Sequence, residues 1–130
     1  MIEVFIENEK KFPIIEKQLE NAVSKTFLIH DVTIAQVGVH IVGVERMTDL
    51  NENYKHHQGV TDVLTFVLRD PEQPTPSFLE TEQTEQEFGD IFLCYPVIEE
   101  EAKAEGISVH EKLAFLIEHG CLHLLGIHHD

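Results

Sequence analysis

His119–Asp130 reads HGCLHLLGIHHD, four histidines in twelve residues of a chain that is otherwise strongly acidic. A purification tag would be a run of histidines without apolar partners. Here Leu122, Leu124, Leu125 and Ile127 are threaded between them, so the stretch reads as folded. His119 and His123 are four residues apart and share one face of a helix. On that helix Leu116, Leu122 and Leu125 are expected to point to the core while the imidazoles face a cleft. Gly126 allows the left-handed turn that reverses the chain, and His129 follows three residues later. The spacing H-x-x-x-H-x-x-G-x-x-H is that of metal sites with two ligands on a helix and a third beyond a glycine turn. Three neutral imidazoles leave a coordination position open for water, the pattern of a catalytic zinc. His128 is the weaker of the adjacent pair, because its neighbour completes the spacing. Cys121 lies about 200° around the helix from His119 and is expected to face into packing.

Working back from that helix, Ser108 with Glu111 forms a capping box, giving a helix from there to Leu125. Pro96 and Glu99 to Glu101 open a preceding helix that runs to about Glu105 and stops at Gly106. Gly89–Cys94 (GDIFLC) and Thr61–Val67 (TDVLTFV) read as strands. Between them Arg69–Phe88, with Pro71, Pro74, Pro76 and a string of Glu, reads as a loop with a solvated acidic surface. Met47–His57 reads as a short helix capped by Thr48. Asp31–Gly43, rich in Val and Ile, reads as a strand. Phe12, Ile15, Leu19, Ala22, Val23 and Phe27 recur at three- and four-residue steps, one face of an amphipathic helix. Ile2–Ile6 is a short β-branched strand. The order βαβαββαα implies an α/β fold: a single layered domain over residues 1–130, with a mixed sheet of about four strands, helices packed on it and a metal-binding C-terminal helix.

The 130 residues, 42% of them hydrophobic, suit one compact core. No apolar run is long enough to span a bilayer. The first stretch, MIEVFIENEKKF, carries Glu3 and Glu7 and no basic region, which argues against a signal peptide and for a cytoplasmic location. Cys94 and Cys121 are too few for a disulfide scaffold and are expected to be small reduced core residues. The net charge of -15, from 24 acidic residues against 9 Lys and Arg, repels phosphate backbones. Any nucleic-acid chemistry therefore needs a local positive site, which a bound divalent metal can supply. A zinc peptidase helix would read H-E-x-x-H with the Glu as base. Gly120 stands in that position, so the peptidase reading ranks second. His30, His40, His56, His57 and His110 bear no such spacing relation and read as ordinary surface or packing residues.

HGCLHLLGIHH resembles the H-G-x-L-H-L-x-G-x-D-H signature of the YbeY family of bacterial rRNA maturation factors. Leu50–Val67 is similar to that family's L-N-x-x-x-R-x-x-x-x-x-T-[DN]-V-L-S-F-P segment, and GDIFLC to its G-D-I strand. The resemblance covers Leu50 to His129 in three motifs in order. It implies a metal-dependent endoribonuclease specific for single strands, acting on small-subunit rRNA within a ribosomal particle, with a ribosomal protein or GTPase as partner and no membrane. The signature histidines fall on His119, His123 and His129, implying one zinc or similar divalent ion. The motif arginine falls on Lys55, expected to contact phosphate as a point charge where arginine would offer a fork. His128 replaces the aspartate before the last histidine, Thr65 the serine and Val67 the proline. A metallopeptidase-like hydrolase and a non-catalytic metal-binding ribosome assembly factor are the alternatives.

Overall fold

A computed structural model describes residues 1–67 and 87–127. The elements are β1 (Ile2–Glu7), α1 (Glu16–Ile29), β2 (Ala35–Val42), α2 (Val44–Tyr54), β3 (Val63–Val67), β4 (Glu87–Cys94), α3 (Tyr95–Glu105) and α4 (Val109–Leu124). The expected order βαβαββαα is the observed one. The four strands form one sheet in the order β1-β2-β4-β3, with β1 parallel to β2, β2 parallel to β4, and β3 antiparallel to β4. The sheet is therefore mixed, with β3 at one edge.

Alternation along the strands divides the core in two. Val37, Val39 and Ile41 of β2 and Ile91 and Leu93 of β4 face α1 and α4, where Leu19, Val23 and Phe27 meet Leu113, Ile117 and Cys121. Leu64 and Phe66 of β3 with Phe92 and Cys94 of β4 face α2, against Met47 and Leu50. Val63 and Val67 pack on the α4 side, so β3 shows one set of side chains to each layer. Both cysteines are buried and free, as expected.

Several element ends differ from the sequence reading for local reasons. The first helix starts at Glu16, not near Phe12. The Asn8 side chain holds both the N–H and C=O of Phe12 in a turn, and the Phe12 ring stacks on Tyr95 at 4.9 Å. The apolar spacing is real, but Phe12 reaches the core from outside the helix. At the other end Asp31 adopts a left-handed conformation, with φ 63°. The Val32 N–H then bonds back to the Phe27 carbonyl, closing α1 in a Schellman turn. Asp31 and Val32 are thereby taken out of the strand, and β2 begins only at Ala35. Thr48 does not cap α2. It lies inside the helix and donates its hydroxyl to the Val44 carbonyl, while Gly43 holds the cap position. β4 begins at Glu87, two residues before the expected Gly89. The rest of the expected acidic loop lies outside the described residues.

Candidate metal centre

The C-terminal helix α4 is fixed at both ends by the signals the sequence carries. Ser108 accepts from the Glu111 N–H and the Glu111 carboxylate accepts from the Ser108 N–H, completing the capping box. At its far end Gly126 takes φ 80°. The Ile127 N–H bonds to the Leu122 carbonyl at 2.8 Å and the Gly126 N–H to that of His123 at 3.0 Å. This Schellman turn reverses the chain just before the third histidine.

α4 lies against β3 and β4 through Gly120. A β-carbon there would stand 3.1 Å from both Thr65 Cγ2 and Ile91 Cδ1, so the missing side chain lets the helix approach the sheet closely. Leu113, Leu116, Ile117, Cys121 and Leu124 are the buried apolar residues of this helix. Leu116 is buried and Leu125, though half-buried, packs against the core, both as expected, while Leu124 takes the buried position expected for Leu122, which is only half-buried. Gly120 sets which side of the helix meets the sheet, and that side includes position 124 and not 122. Burial pushes the Cys121 thiol up to about 12, so it is an inert packing residue facing away from the histidines, as expected.

His119 and His123 are both half-buried on one stripe of α4, with ring centroids 5.1 Å apart at 70°. Two imidazoles bound to one tetrahedral zinc place their centroids roughly 5 Å apart, given metal–nitrogen bonds near 2.0–2.1 Å. The pair therefore fits a shared metal. His128 and His129 lie outside the described residues. Among the described residues no group of three or more His, Cys, Asp or Glu side chains is clustered to hold an ion. Of the ligands expected from the sequence, only His119 and His123 fall among the described residues.

Lys55 stands at the C-cap of α2, its ammonium 4.7 Å from the centre of the Phe66 ring. Phe66 points toward α2, whereas Thr65, its neighbour on β3, meets Gly120 of α4. Lys55 and the two histidines are thus on opposite faces of the sheet, at its β3 side. The turn after Lys55 is held by buried Asn51, which donates to the Gly59 carbonyl at 3.0 Å, and by Glu52, which accepts from the Gly59 N–H.

Two groupings escaped the sequence reading. His40 of β2 is held between Glu7 of β1, at 2.9 Å, and Asp90 of β4, at 2.6 Å. Its ring stacks on Phe92 at 4.3 Å, and Arg46 bridges to Glu7 at 3.2 Å. Gly38 makes room, since a β-carbon there would fall 2.0 Å from the Asp90 Oδ1. The residues are far apart in sequence, and only the strand order β1-β2-β4 aligns them. His110 also has a role: its Nε2 accepts from the Ile15 N–H at 2.9 Å, supplying the cap that α1 lacks from its own side chains. For His30, His56 and His57 nothing departs from the ordinary reading.

The second grouping joins Asp62, before β3, to Glu101 of α3 and Lys112 of α4. Lys112 is 10% exposed and pairs with Glu105 at 2.8 Å. Glu101 Oε1 is out of water without a hydrogen-bond donor, although its side chain as a whole is 36% exposed. Burial of the carboxyl, together with the neighbouring Asp62 carboxylate, raises its pKa to about 7.

The family model for Endoribonuclease YbeY matches residues 4–130. Endoribonuclease YbeY of Coxiella burnetii is 36% identical over 115 residues, covering 88% of this chain and 68% of that relative. Endoribonuclease YbeY of Dehalococcoides mccartyi is 39% identical over 99 residues, covering 73% of this chain and 62% of that protein. The solution structure of TM1509 from Thermotoga maritima superposes with a TM-score of 0.59 at 27% identity, over 100% of this chain and 75% of that one.

Proposed function

The chain belongs to the YbeY endoribonuclease family, and from that membership we propose that it is a zinc-dependent, single-strand-specific endoribonuclease of small-subunit rRNA maturation. The observation that carries the metal half of this reading is the His119–His123 pair, two imidazoles on one stripe of α4 at the separation a shared ion requires. His129 completes the ligand set in this proposal. No helix among the described residues is long and apolar enough to cross a membrane, which is compatible with the cytoplasmic location we assign. Substrate is presented by a ribosomal particle, with a ribosomal protein or GTPase as partner, because an acidic chain does not gather RNA by its own field.

When bound, the zinc supplies Lewis acidity toward a phosphoryl oxygen and an activated water near neutral pH. His119 and His123 contribute neutral ring nitrogens and a fixed separation. Their orientation follows from Gly120, which sets the rotation of α4 on Thr65 and Ile91. Lys55 steadies the phosphate in this account. Its position imposes a condition: the RNA backbone must pass around the edge strand β3, from the histidines on the α4 side to the ammonium on the α2 side.

Gly120 in the place of a peptidase base weighs against the metallopeptidase alternative. Incubating the protein with labelled single-stranded RNA and with an unfolded peptide, each with and without chelator, tests the proposal. Chelator-sensitive cleavage of RNA alone is expected. Cleavage of the peptide alone would replace the reading, and metal binding without either activity would favour a non-catalytic assembly factor.

A further inference from the structure

Along α4, Lys112, Phe115, His119 and His123 follow one another at three- and four-residue steps. The Lys112 ammonium lies 5.6 Å from the Phe115 ring centre. Phe115 and His119 lie with centroids 6.5 Å apart and planes within 18° of parallel, and His119 meets His123 at 5.1 Å. This stripe is continuous, and Phe115 is its outermost member at 58% exposure. Exposing a phenylalanine forgoes the stabilisation its burial would bring. Phe5 is the other strongly exposed aromatic among the described residues, and it lies in β1, where α2 does not cover the sheet. Phe115 alone stands one helical turn from a candidate metal ligand.

The charge of the molecule narrows what such a ring can do. Glu111 and Glu118 flank it on the same helix, and the chain carries a net charge of -15. Away from the metal itself the surface repels phosphates, so further nucleic-acid affinity along α4 has to come from the bases. A base presents a flat π-face whatever its identity, and stacking on an exposed aromatic is the usual means of holding an unpaired strand. Lys112 is locked by Glu105 beneath the ring, which fixes the aromatic without offering its own charge to a phosphate.

We propose that Phe115 is the platform on which an unpaired base of the RNA substrate stacks beside His119 and His123. The proposal rests on the endoribonuclease reading above. It explains a preference for single strands by a named residue, since a base inside a duplex cannot reach such a platform.

The test is equilibrium binding of a dye-labelled single-stranded RNA to wild type, Phe115→Ala, Phe115→Leu and Phe115→Trp, with zinc supplied and again in excess chelator, alongside wild-type cleavage. Because Phe115 is exposed, all three variants are expected to keep the wild-type melting temperature within a few degrees. Phe115→Ala and Phe115→Leu should bind roughly 5- to 100-fold more weakly, while Phe115→Trp holds or improves affinity. The chain has no tryptophan, so the indole of Phe115→Trp is a unique reporter. Its emission should change on adding the RNA and stay constant with an abasic oligomer of the same length. Wild-type affinity in Phe115→Ala, or in Phe115→Leu, with RNA still cleaved, would overturn the platform and leave the nuclease reading standing. Absence of both RNA binding and cleavage in wild type would overturn the two together.

Discussion

His40 Nε2 lies 2.6 Å from Asp90 Oδ1, and the opposite ring nitrogen reaches Glu7, so one imidazole ties β2 to both of its neighbouring strands. Burial opposes a charge on this ring, but its hydrogen bonds to Asp90 and Glu7 outweigh it and hold the pKa above the usual histidine value. A group whose pKa is raised on folding adds stability that is full below its unfolded value, near 6.5, and is lost as pH rises through the folded one. Glu7, whose hydrogen bond from His40 lowers its pKa, adds the complementary limit. Its contribution is present above about 4.5 and lost on acidification. The clamp is therefore strongest between those limits. Thermal melts at pH 6 and pH 8.5 should show wild type losing stability at the higher pH. His40→Asn should cost about 1–3 kcal/mol at pH 6 and flatten that slope. A slope unchanged in the variant would remove the clamp from the account.

Glu101 gives the opposite sign. Its carboxyl, raised to about 7, resists ionisation in the folded chain. Ionised Glu101 thus costs stability, and the cost grows as pH rises from its unfolded value, near 4.5, through 7. Glu101→Gln is expected to raise the melting temperature at pH 8 and to leave it nearly unchanged at pH 4. Destabilisation at pH 8 would mean that Lys112 depends on the Glu101 charge.

Gly120→Val tests the seat of α4. The added side chain would crowd Thr65 Cγ2 and Ile91 Cδ1, both 3.1 Å from a β-carbon at that site. Overpacking of this kind costs about 1–3 kcal/mol. Metal affinity should fall with it, since the helix that carries His119 and His123 must shift. A variant of normal melting temperature and normal metal affinity would show that the close approach is dispensable.

The order of elements and the helix that bears the histidines were legible because their signals are local. Ser108 with Glu111, Gly106, Gly126 and the Leu19–Phe27 spacing each act within a few residues. Element ends were less so where a side chain had two uses, as with Thr48, which can cap a helix or bond back inside one. Phe12 showed helical spacing while packing from a turn fixed by Asn8. The His40 clamp and the Glu101 pair were not legible at all, because each joins elements brought together only by the sheet order. Likewise the sequence places Lys55 in a motif upstream of the histidines but does not say which face of the sheet it reaches.

Lys55 is the residue whose role that geometry constrains most. Lys55→Ala should reduce RNA cleavage with metal content intact, and Lys55→Arg should match or exceed wild type, because a guanidinium grips two phosphate oxygens at once. The ammonium over Phe66 also carries a packing term of about 0.5–1 kcal/mol, which melting curves separate from turnover. Equal cleavage by all three proteins would restrict the lysine to that packing role.

The most direct test of the metal site is the zinc content of untagged wild type and of His119→Ala, His123→Ala, His128→Ala and His129→Ala, each dialysed against trace zinc. About one ion per chain is expected in wild type and in His128→Ala, with loss in the other three. Full occupancy after removal of His119 or His123, or loss on removing His128 but not His129, would contradict this ligand set.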